Sequence, residues 1–571
     1  MILESLCNLA GREKLLASGD YEPKPVAWII ALGEGGRFLH LSSTATAAEG
    51  EKPRPKTMYI PRRRGRTSAA VPDFLVDKSE YVLGVDSTAA GREPRPPEEL
   101  ARRRALFGEL VKKAAEEIGS EPLATITQFL DSDTERTRCV TELEVRGFAG
   151  NDLFTFEYLG QLAHEAPGVR EWFSGARQEK GAPMSQCLVC GNVRPAVDKH
   201  PLVRVPGGTT SGVALVSFNS DAFESYGLER NENAPVCREC ADAYTTALNR
   251  LLSPRYIDCS GAMLGRRFVR LSSDTTAVFW ADEGSPTLDF LSSLFDQADP
   301  DAVRAVLDAP WKGQQAAAIS GRFFCLVISG AQGRAVLRGV HTGTVEQAEA
   351  NVREYFTSLE VEGTGVLPLY RLLGAAALQG KADNLPPGLP GEMFLAIVSG
   401  RALPRRLLSL AVQRCRAERM VTRERVALLR ACLSFKRTDM EVKVSLDREN
   451  IRPGYRLGRL LSVLEQLQTS QRAKGTIVER FYGAASTRPA TVFPGLIRLA
   501  QHHFPKSSRP VFYQRQLGEV LDGIPSFPAT LNLEEQGLFA LGYYQQRQEF
   551  FRGPATSGES EGDTETNKEQ E

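Results

Sequence analysis

Leu457-Gly-Arg-Leu-Leu-Ser-Val-Leu-Glu-Gln-Leu467 sets leucines at 457, 460, 461, 464 and 467. This i, i+3, i+4, i+7 spacing lines one face of an amphipathic α-helix. From about residue 403 onward the chain keeps this helical character. Asn532, with Glu535 three residues later, offers a capping-box-like start for a last helix over Leu533 to Phe551. The spacing therefore predicts a C-terminal helical bundle over 403–553.

Before residue 403 the pattern is mixed. Val26-Ala-Trp-Ile-Ile-Ala-Leu32 and Arg37-Phe-Leu-His-Leu41 are strand-like runs joined by Gly33-Glu-Gly-Gly36, which suits a tight connection. A charged helix is expected over Pro97 to Ile118. Gly212-Val-Ala-Leu-Val-Ser-Phe218 has the pattern of a short buried strand, and a helix follows near Ala241 to Leu252. Phe323 to Ser329 and Gly333 to Gly339 read as a hairpin. The expected fold class is α+β. It comprises an N-terminal domain over 1–260 with a clipped insert at 187–240, a middle α+β region over 261–402, the helical bundle, and a disordered acidic tail over 554–571.

That tail carries Glu559, Glu561, Asp563, Glu565, Glu569 and Glu571 against Lys568, with little apolar matter to offset ordering entropy. The whole chain has 571 residues, 70 Lys+Arg and 70 Asp+Glu. Removing the tail's −5 from zero leaves +5 on the rest. At about 150 residues per domain, this length suggests several domains. Zero net charge excludes a uniformly basic coat protein but says nothing against local basic patches. No run of apolar residues is long enough for a membrane span. The start, Met1-Ile-Leu-Glu4, lacks the basic segment of a secretory leader, so a reducing cytoplasm is the expected compartment.

In that compartment close cysteine pairs point to metal. Cys187-Leu-Val-Cys190 and Cys237-Arg-Glu-Cys240 each place two thiolates at the spacing that grips one cation, and together they would complete a tetrahedral zinc shell. The plain alternative is two unrelated surface pairs. A closed shell of four thiolates leaves no open position, so such a zinc would be structural, clipping the intervening segment back on itself.

Two basic fields stand out. Lys52 to Arg66 holds seven cations and no acid, beside Tyr59 and punctuated by Pro53, Pro55 and Pro61. Arg401 to Arg437 holds eleven cations against Glu418 and Glu424. Either suits a phosphate backbone, and either equally suits a solvated surface. Nucleotide-binding, nucleophile-elbow and His-Glu-x-x-His motifs are absent, His502-His503 would face different sides of a helix, and Asp131-Ser-Asp133 reads as a turn. The residues alone point to a zinc-stapled binding protein, with a zinc-containing nuclease or RNA-processing enzyme as the alternative.

Ser217-Phe-Asn-Ser-Asp-Ala-Phe-Glu-Ser-Tyr-Gly227, Ala243-Tyr-Thr-Thr-Ala-Leu-Asn249, Tyr455-Arg-Leu-Gly-Arg459, Phe481-Tyr-Gly-Ala-Ala-Ser486 and Glu535-Gln-Gly-Leu-Phe-Ala-Leu-Gly-Tyr-Tyr-Gln-Gln-Arg547 carry a near full-length resemblance. They resemble the CRISPR-associated large subunit of the type I-C Cascade complex. The resemblance implies a non-catalytic protein bound to guide CRISPR RNA through Cascade backbone and guide-capping subunits. It implies recognition of the protospacer-adjacent motif in duplex DNA, duplex opening, and recruitment of a helicase-nuclease. It also implies that the C-terminal part is made separately as a small subunit, for which Met440 is a candidate start. The family often lacks cysteine at positions 190, 237 and 240, so zinc rests on spacing alone. On this basis Lys56, Arg62, Arg63, Arg64, Arg66 and Lys78 are candidates for backbone and groove contact. Asn219, Phe223 and Tyr226 are candidates for amide readout and stacking, and Arg406, Arg414, Arg423 and Arg430 for holding the displaced non-target strand.

Overall fold

The computed structural model describes residues 2–13, 15, 21–46, 53–63, 70–86, 95–176, 184–218, 220–254, 256–257, 263–282, 287–296, 321–331, 334–362, 367–470 and 475–551. The acidic tail, Arg64, Arg66 and Asn219 lie outside these residues. The chain forms two compact units, Met1–Pro201 with Val216–Leu248, and Leu202–Leu215 with Asn249–Glu571.

The first unit is built on a mixed sheet. Strands β2 (Trp28–Leu32) and β3 (Phe38–Ser43) pair antiparallel through the glycine-rich connection, where Gly35 and Gly36 take φ of 71° and 76°. A Cβ on Gly36 would stand 2.5 Å from the Phe129 amide nitrogen, so both the turn and the close approach require glycine. On the other side of β2 runs β6 (Leu153–Tyr158), parallel to it, with Trp28 opposite Phe154; β5 (Asp77–Lys78) then pairs antiparallel with β6. Helix α3 occupies Pro97–Ile118, with proline in the first turn and left-handed Gly119 ending it. Its Phe107, Val111 and Ala114 form one buried stripe. With α4 (Glu121–Asp131) and α5 (Asp133–Arg146), this stripe covers Ile30, Leu32, Phe154 and Phe156. Burying this apolar face is the main stabilising term for the unit. Asp131-Ser132-Asp133 is the turn between α4 and α5: the Ser132 hydroxyl accepts from the Glu135 amide, and Asp133 pairs with Arg136.

Residues 53–63 are more ordered than a Pro- and Arg-rich loop would suggest. Thr57–Pro61 forms β4, antiparallel to β1 (Tyr21–Pro25). Along β4 the exposed Thr57 and Tyr59 alternate with buried Met58 and Ile60, the period-two pattern of a half-buried strand.

The second unit opens with an antiparallel sheet in the order β12 (Phe268–Arg270), β13 (Thr275–Ala281), β14 (Arg322–Ala331), β15 (Arg334–Thr344) once the short ribbons β7 to β11 are numbered. These ribbons are Gln161–Leu162, Met184–Gln186, Val193–Pro195, Tyr256–Ile257 and Met263–Leu264. The hairpin expected around 330–333 is the β14–β15 pair. The strand expected over Gly212 to Phe218 does not form. Gly212 takes φ of 100°, and the run makes only single bridges, Val213 to Val203 and Ala214 to Arg334. A positive φ breaks the extended geometry that a ladder needs.

Helices follow from Val345–Leu359 and Leu389–Ser399 into Arg405–Glu418, Arg423–Ser434, Pro453–Thr469, Ile477–Ala485, Pro489–Ala500, Pro510–Asp522 and Leu533–Phe551. The helical C-terminal region and the last helix are as expected. One half of the capping box forms, with the Glu535 amide donating to Asn532 Oδ1. The Glu535 carboxylate instead accepts from the Gly454 amide and from Arg452, holding the last helix against Pro453–Thr469. One continuous cluster of buried side chains runs from Val269 to Tyr544. No helix among the described residues is long and apolar enough to cross a membrane.

Candidate metal centre and nucleic-acid interface

Cys187 directly follows the short β8 strand, and Cys190 lies in the turn before β9. The Gly191 amide donates to the Cys187 carbonyl at 2.9 Å, with Gly191 at φ 74°, closing a knuckle around the first cysteine pair. The second pair comes from the start of helix α7 (Arg238–Leu251), once α6 is given to Val169–Ala176: Cys237 precedes it and Cys240 lies in its first turn. The fold-back that closes 46 intervening residues is made by the backbone. Leu188 N donates to Pro235 O at 2.9 Å, Val197 N donates to Val236 O at 3.0 Å, and Ala196 bridges Cys237.

The four sulfurs lie within 4.8 Å of one another, and Cys190 Sγ stands 3.9 Å from Cys237 Sγ. Zinc–thiolate bonds of about 2.3 Å in a tetrahedron separate the sulfurs by ~3.8 Å. The donor set thus fits a single tetrahedral cation. Burial alone would raise the Cys187 thiol, but amide donation from Cys190, Cys237 and Val189 outweighs it and brings it down to about 7. Burial pushes Cys237 up to about 11 and raises Cys240 further. A bound dication would favour the thiolates of all four. A fifth thiol, Cys7 on helix α1 (Ile2–Arg12), donates to the Cys240 carbonyl at 3.5 Å.

Between the two pairs lies a loop with an exposed aromatic apex. Ser225 bridges Leu228 across Tyr226 and Gly227, whose φ values of 56° and 73° are those of a type I′ turn. Asn233 holds the turn from below: its Oδ1 accepts from the Ser225 amide, and its Nδ2 donates to the Leu228 and Arg230 carbonyls. Arg230 pairs with Asp198, and its amide donates to Glu224 Oε1. Tyr226 is 99% exposed, and Phe223 is 41% exposed.

The basic residues divide sharply. Lys56 is exposed at the start of β4. Arg62 Nη1 lies 2.9 Å from Asp242 Oδ1 on α7, with side-chain exposures of 14% and 2%. Arg63 turns the other way, placing Nε 2.6 Å from buried Asp73 and its amide on Glu22. Lys78 Nζ donates to Asn151 at 2.8 Å. In the second unit Arg406 and Arg423 are exposed, the latter beside Glu424, and Arg414 is mostly buried beside Glu418. Arg430 leaves the surface set. It is buried and donates to the Val442 and Thr357 carbonyls, because it sits on the inward face of its helix. The sequence pattern assigned no role to Asp242 or to Asn233. Asp242 follows Cys240 by two residues, but its partner is 180 positions away and leaves no local signal.

The chain thus combines a four-cysteine cluster at the head of a helix, a mixed α+β unit and a C-terminal helical region. The family model for CRISPR-associated proteins designated Cas_Csd1 matches residues 5–551. The chain belongs to this family, the large subunits of type I-C CRISPR Cascade complexes. No curated protein matches it.

Proposed function

We propose that this subunit recognises the protospacer-adjacent motif in duplex DNA, promotes duplex opening and R-loop formation, and supports recruitment of the helicase-nuclease. Guide pairing would supply sequence specificity and the protein would read the short motif, the division of labour in RNA-guided effectors. The observation that carries this proposal is Tyr226, a fully exposed aromatic held in a left-handed turn of the segment between the two cysteine pairs. A non-glycine residue in that conformation costs ~1–2 kcal/mol, and such strain concentrates at functional sites. Phe223 would serve for stacking and Asn219 for amide readout. Lys56, Lys78, Arg64 and Arg66 would supply phosphate contact. In the C-terminal region Arg406, Arg414 and Arg423 would hold the displaced strand.

We further infer that Cys187, Cys190, Cys237 and Cys240 hold one structural zinc, which would supply crosslinking without an open coordination position. A cytoplasmic complex with guide RNA, backbone and capping subunits, and a small subunit from the C-terminal part is the setting we expect.

The test uses the assembled complex with guide RNA and measures binding to duplexes with and without the adjacent motif over a range of salt. Motif-dependent, salt-sensitive binding that falls in Tyr226→Ala supports the proposal. Metal-dependent cleavage by the purified chain alone overturns it in favour of a nuclease. Metal analysis is expected to find one zinc per chain, lost in Cys187→Ser/Cys240→Ser; unchanged metal content in that variant refutes the zinc assignment.

A further inference from the structure

We propose that the cysteine clip positions the β1–β4 ribbon through the buried ion pair Asp242–Arg62, and that Arg62 is a positioning residue rather than a nucleic-acid contact. This rests on the zinc and DNA-binding assignments above and deepens them.

The contacts form a short chain. Cys237 and Cys240 fix the first turn of α7, the part of a helix that otherwise lacks intrahelical partners for its amides. Asp242 lies two residues beyond Cys240 and is 2% exposed. It receives Arg62 Nη1 at 2.9 Å, and Arg62 directly follows β4, the strand that bears exposed Tyr59 and begins beside exposed Lys56. Arg62 Nε is also buried, with no hydrogen-bond partner among the described residues, and Nη1 is taken by Asp242, so neither nitrogen is open to a phosphate. Arg63 grips Asp73 on the opposite side, so the end of β4 is held from two directions, one of which leads to the clip. Cys7 on α1 also reaches the clip, donating to the Cys240 carbonyl.

A phosphate-contacting arginine and a positioning arginine behave differently when the clip is opened. If Arg62 acts through Asp242, then removing the metal and removing Asp242 disturb the same link, and their effects do not add.

The experiment compares wild type, Asp242→Asn and the charge-swapped Arg62→Asp/Asp242→Arg double variant in the assembled complex, each with and without chelator. It measures zinc content and motif-duplex affinity. Asp242→Asn is expected to keep one zinc per chain yet bind roughly tenfold more weakly. Chelation is expected to weaken wild type by a similar factor and to add little to Asp242→Asn. The swapped pair should recover most of the affinity although position 62 is then acidic, an outcome that a phosphate contact forbids. If zinc and motif binding are present in wild type but Asp242→Asn binds normally, or the swap stays as weak as the single variant, the coupling is wrong while the proposed function stands. If wild type carries no zinc or shows no motif-dependent binding, the assignments beneath the coupling fail and it falls with them.

Discussion

A Cβ placed on Gly458 would stand 2.0 Å from the carbonyl oxygen of Phe539, closer than any side chain tolerates. The relation is reciprocal along the crossing of Pro453–Thr469 with Leu533–Phe551: Gly454 meets the Glu535 carbonyl and Gly542 meets the Tyr455 carbonyl, each at 2.1 Å. Small residues let the two helix backbones touch, and the leucines around them fill the flanks. Because the obstruction is backbone rather than a flexible side chain, Gly458→Ala is expected to destabilise the chain by about 3 kcal/mol. Gly483, also helical, has nothing within 4 Å of its Cβ position. Gly483→Ala should therefore stabilise by up to ~1 kcal/mol through propensity alone. Urea unfolding of both variants checks the contrast, and equal midpoints would refute the close-packing account.

Two histidines of the first unit should make its stability acid-sensitive. Burial, with Arg170 nearby, lowers His164 to about 4, and burial lowers His200 to about 4. His164 Nδ1 faces Thr155 Oγ1 at 3.1 Å, and His200 Nδ1 faces the Tyr244 hydroxyl at 2.6 Å. Both are neutral in the fold, whereas an unfolded histidine titrates near 6.5. The unfolded chain therefore binds more protons below that value, so the stability is full above about pH 6.5 and is lost as pH falls towards 4. Each site should lose roughly 2 kcal/mol by pH 5. His164→Asn and His200→Asn should flatten the pH dependence of the urea midpoint between 6.5 and 4; a slope unchanged in both would show that these residues do not carry it.

The arginines between 401 and 437 divide into a buried and an exposed set. Arg430→Ala strips the buried Val442 carbonyl of its donor and leaves the Thr357 carbonyl with the Glu360 amide alone. It is expected to destabilise by about 2–4 kcal/mol. Arg406→Ala/Arg423→Ala removes exposed charge and should leave stability within about 0.5 kcal/mol while lowering the salt dependence of displaced-strand binding. Thermal unfolding and single-strand binding separate the two sets. Destabilisation by the exposed pair, with no effect from Arg430, would reverse the assignment.

These cases also show what was legible in the sequence. Helix Pro97–Ile118 and the helix through Leu457 to Leu467 were readable because a local period and local end signals determine them. The cysteine cluster was readable because Cys-x-x-Cys states its own chemistry, although the pairing at Val197 and Val236 that closes it was not. Gly212 to Phe218 misled because apolar composition resembles a strand until one positive φ breaks it. Arg430 misled because a count of charges treats every arginine alike, and only the helix's packing separates an inward guanidinium from an outward one. The Arg62–Asp242 pair joins positions too distant for any local pattern to mark.

Tyr226 sets the proposed function against stability in one residue. At φ 56° a side chain costs conformational energy, and at 99% exposure the tyrosine gains nothing from the core in return. Tyr226→Gly removes the strain and should leave the chain as stable as wild type or more so by about 1 kcal/mol. Tyr226→Ala keeps most of the strain and should not stabilise. Both remove the ring, whose stacking on a base is worth ~1–3 kcal/mol, so both should weaken binding of the motif duplex by at least about fivefold. Stability is read from unfolding of the first unit, and affinity from the assembled complex. A glycine variant that gains stability and keeps full affinity would leave the exposed ring without a role in binding, because the turn alone would then suffice.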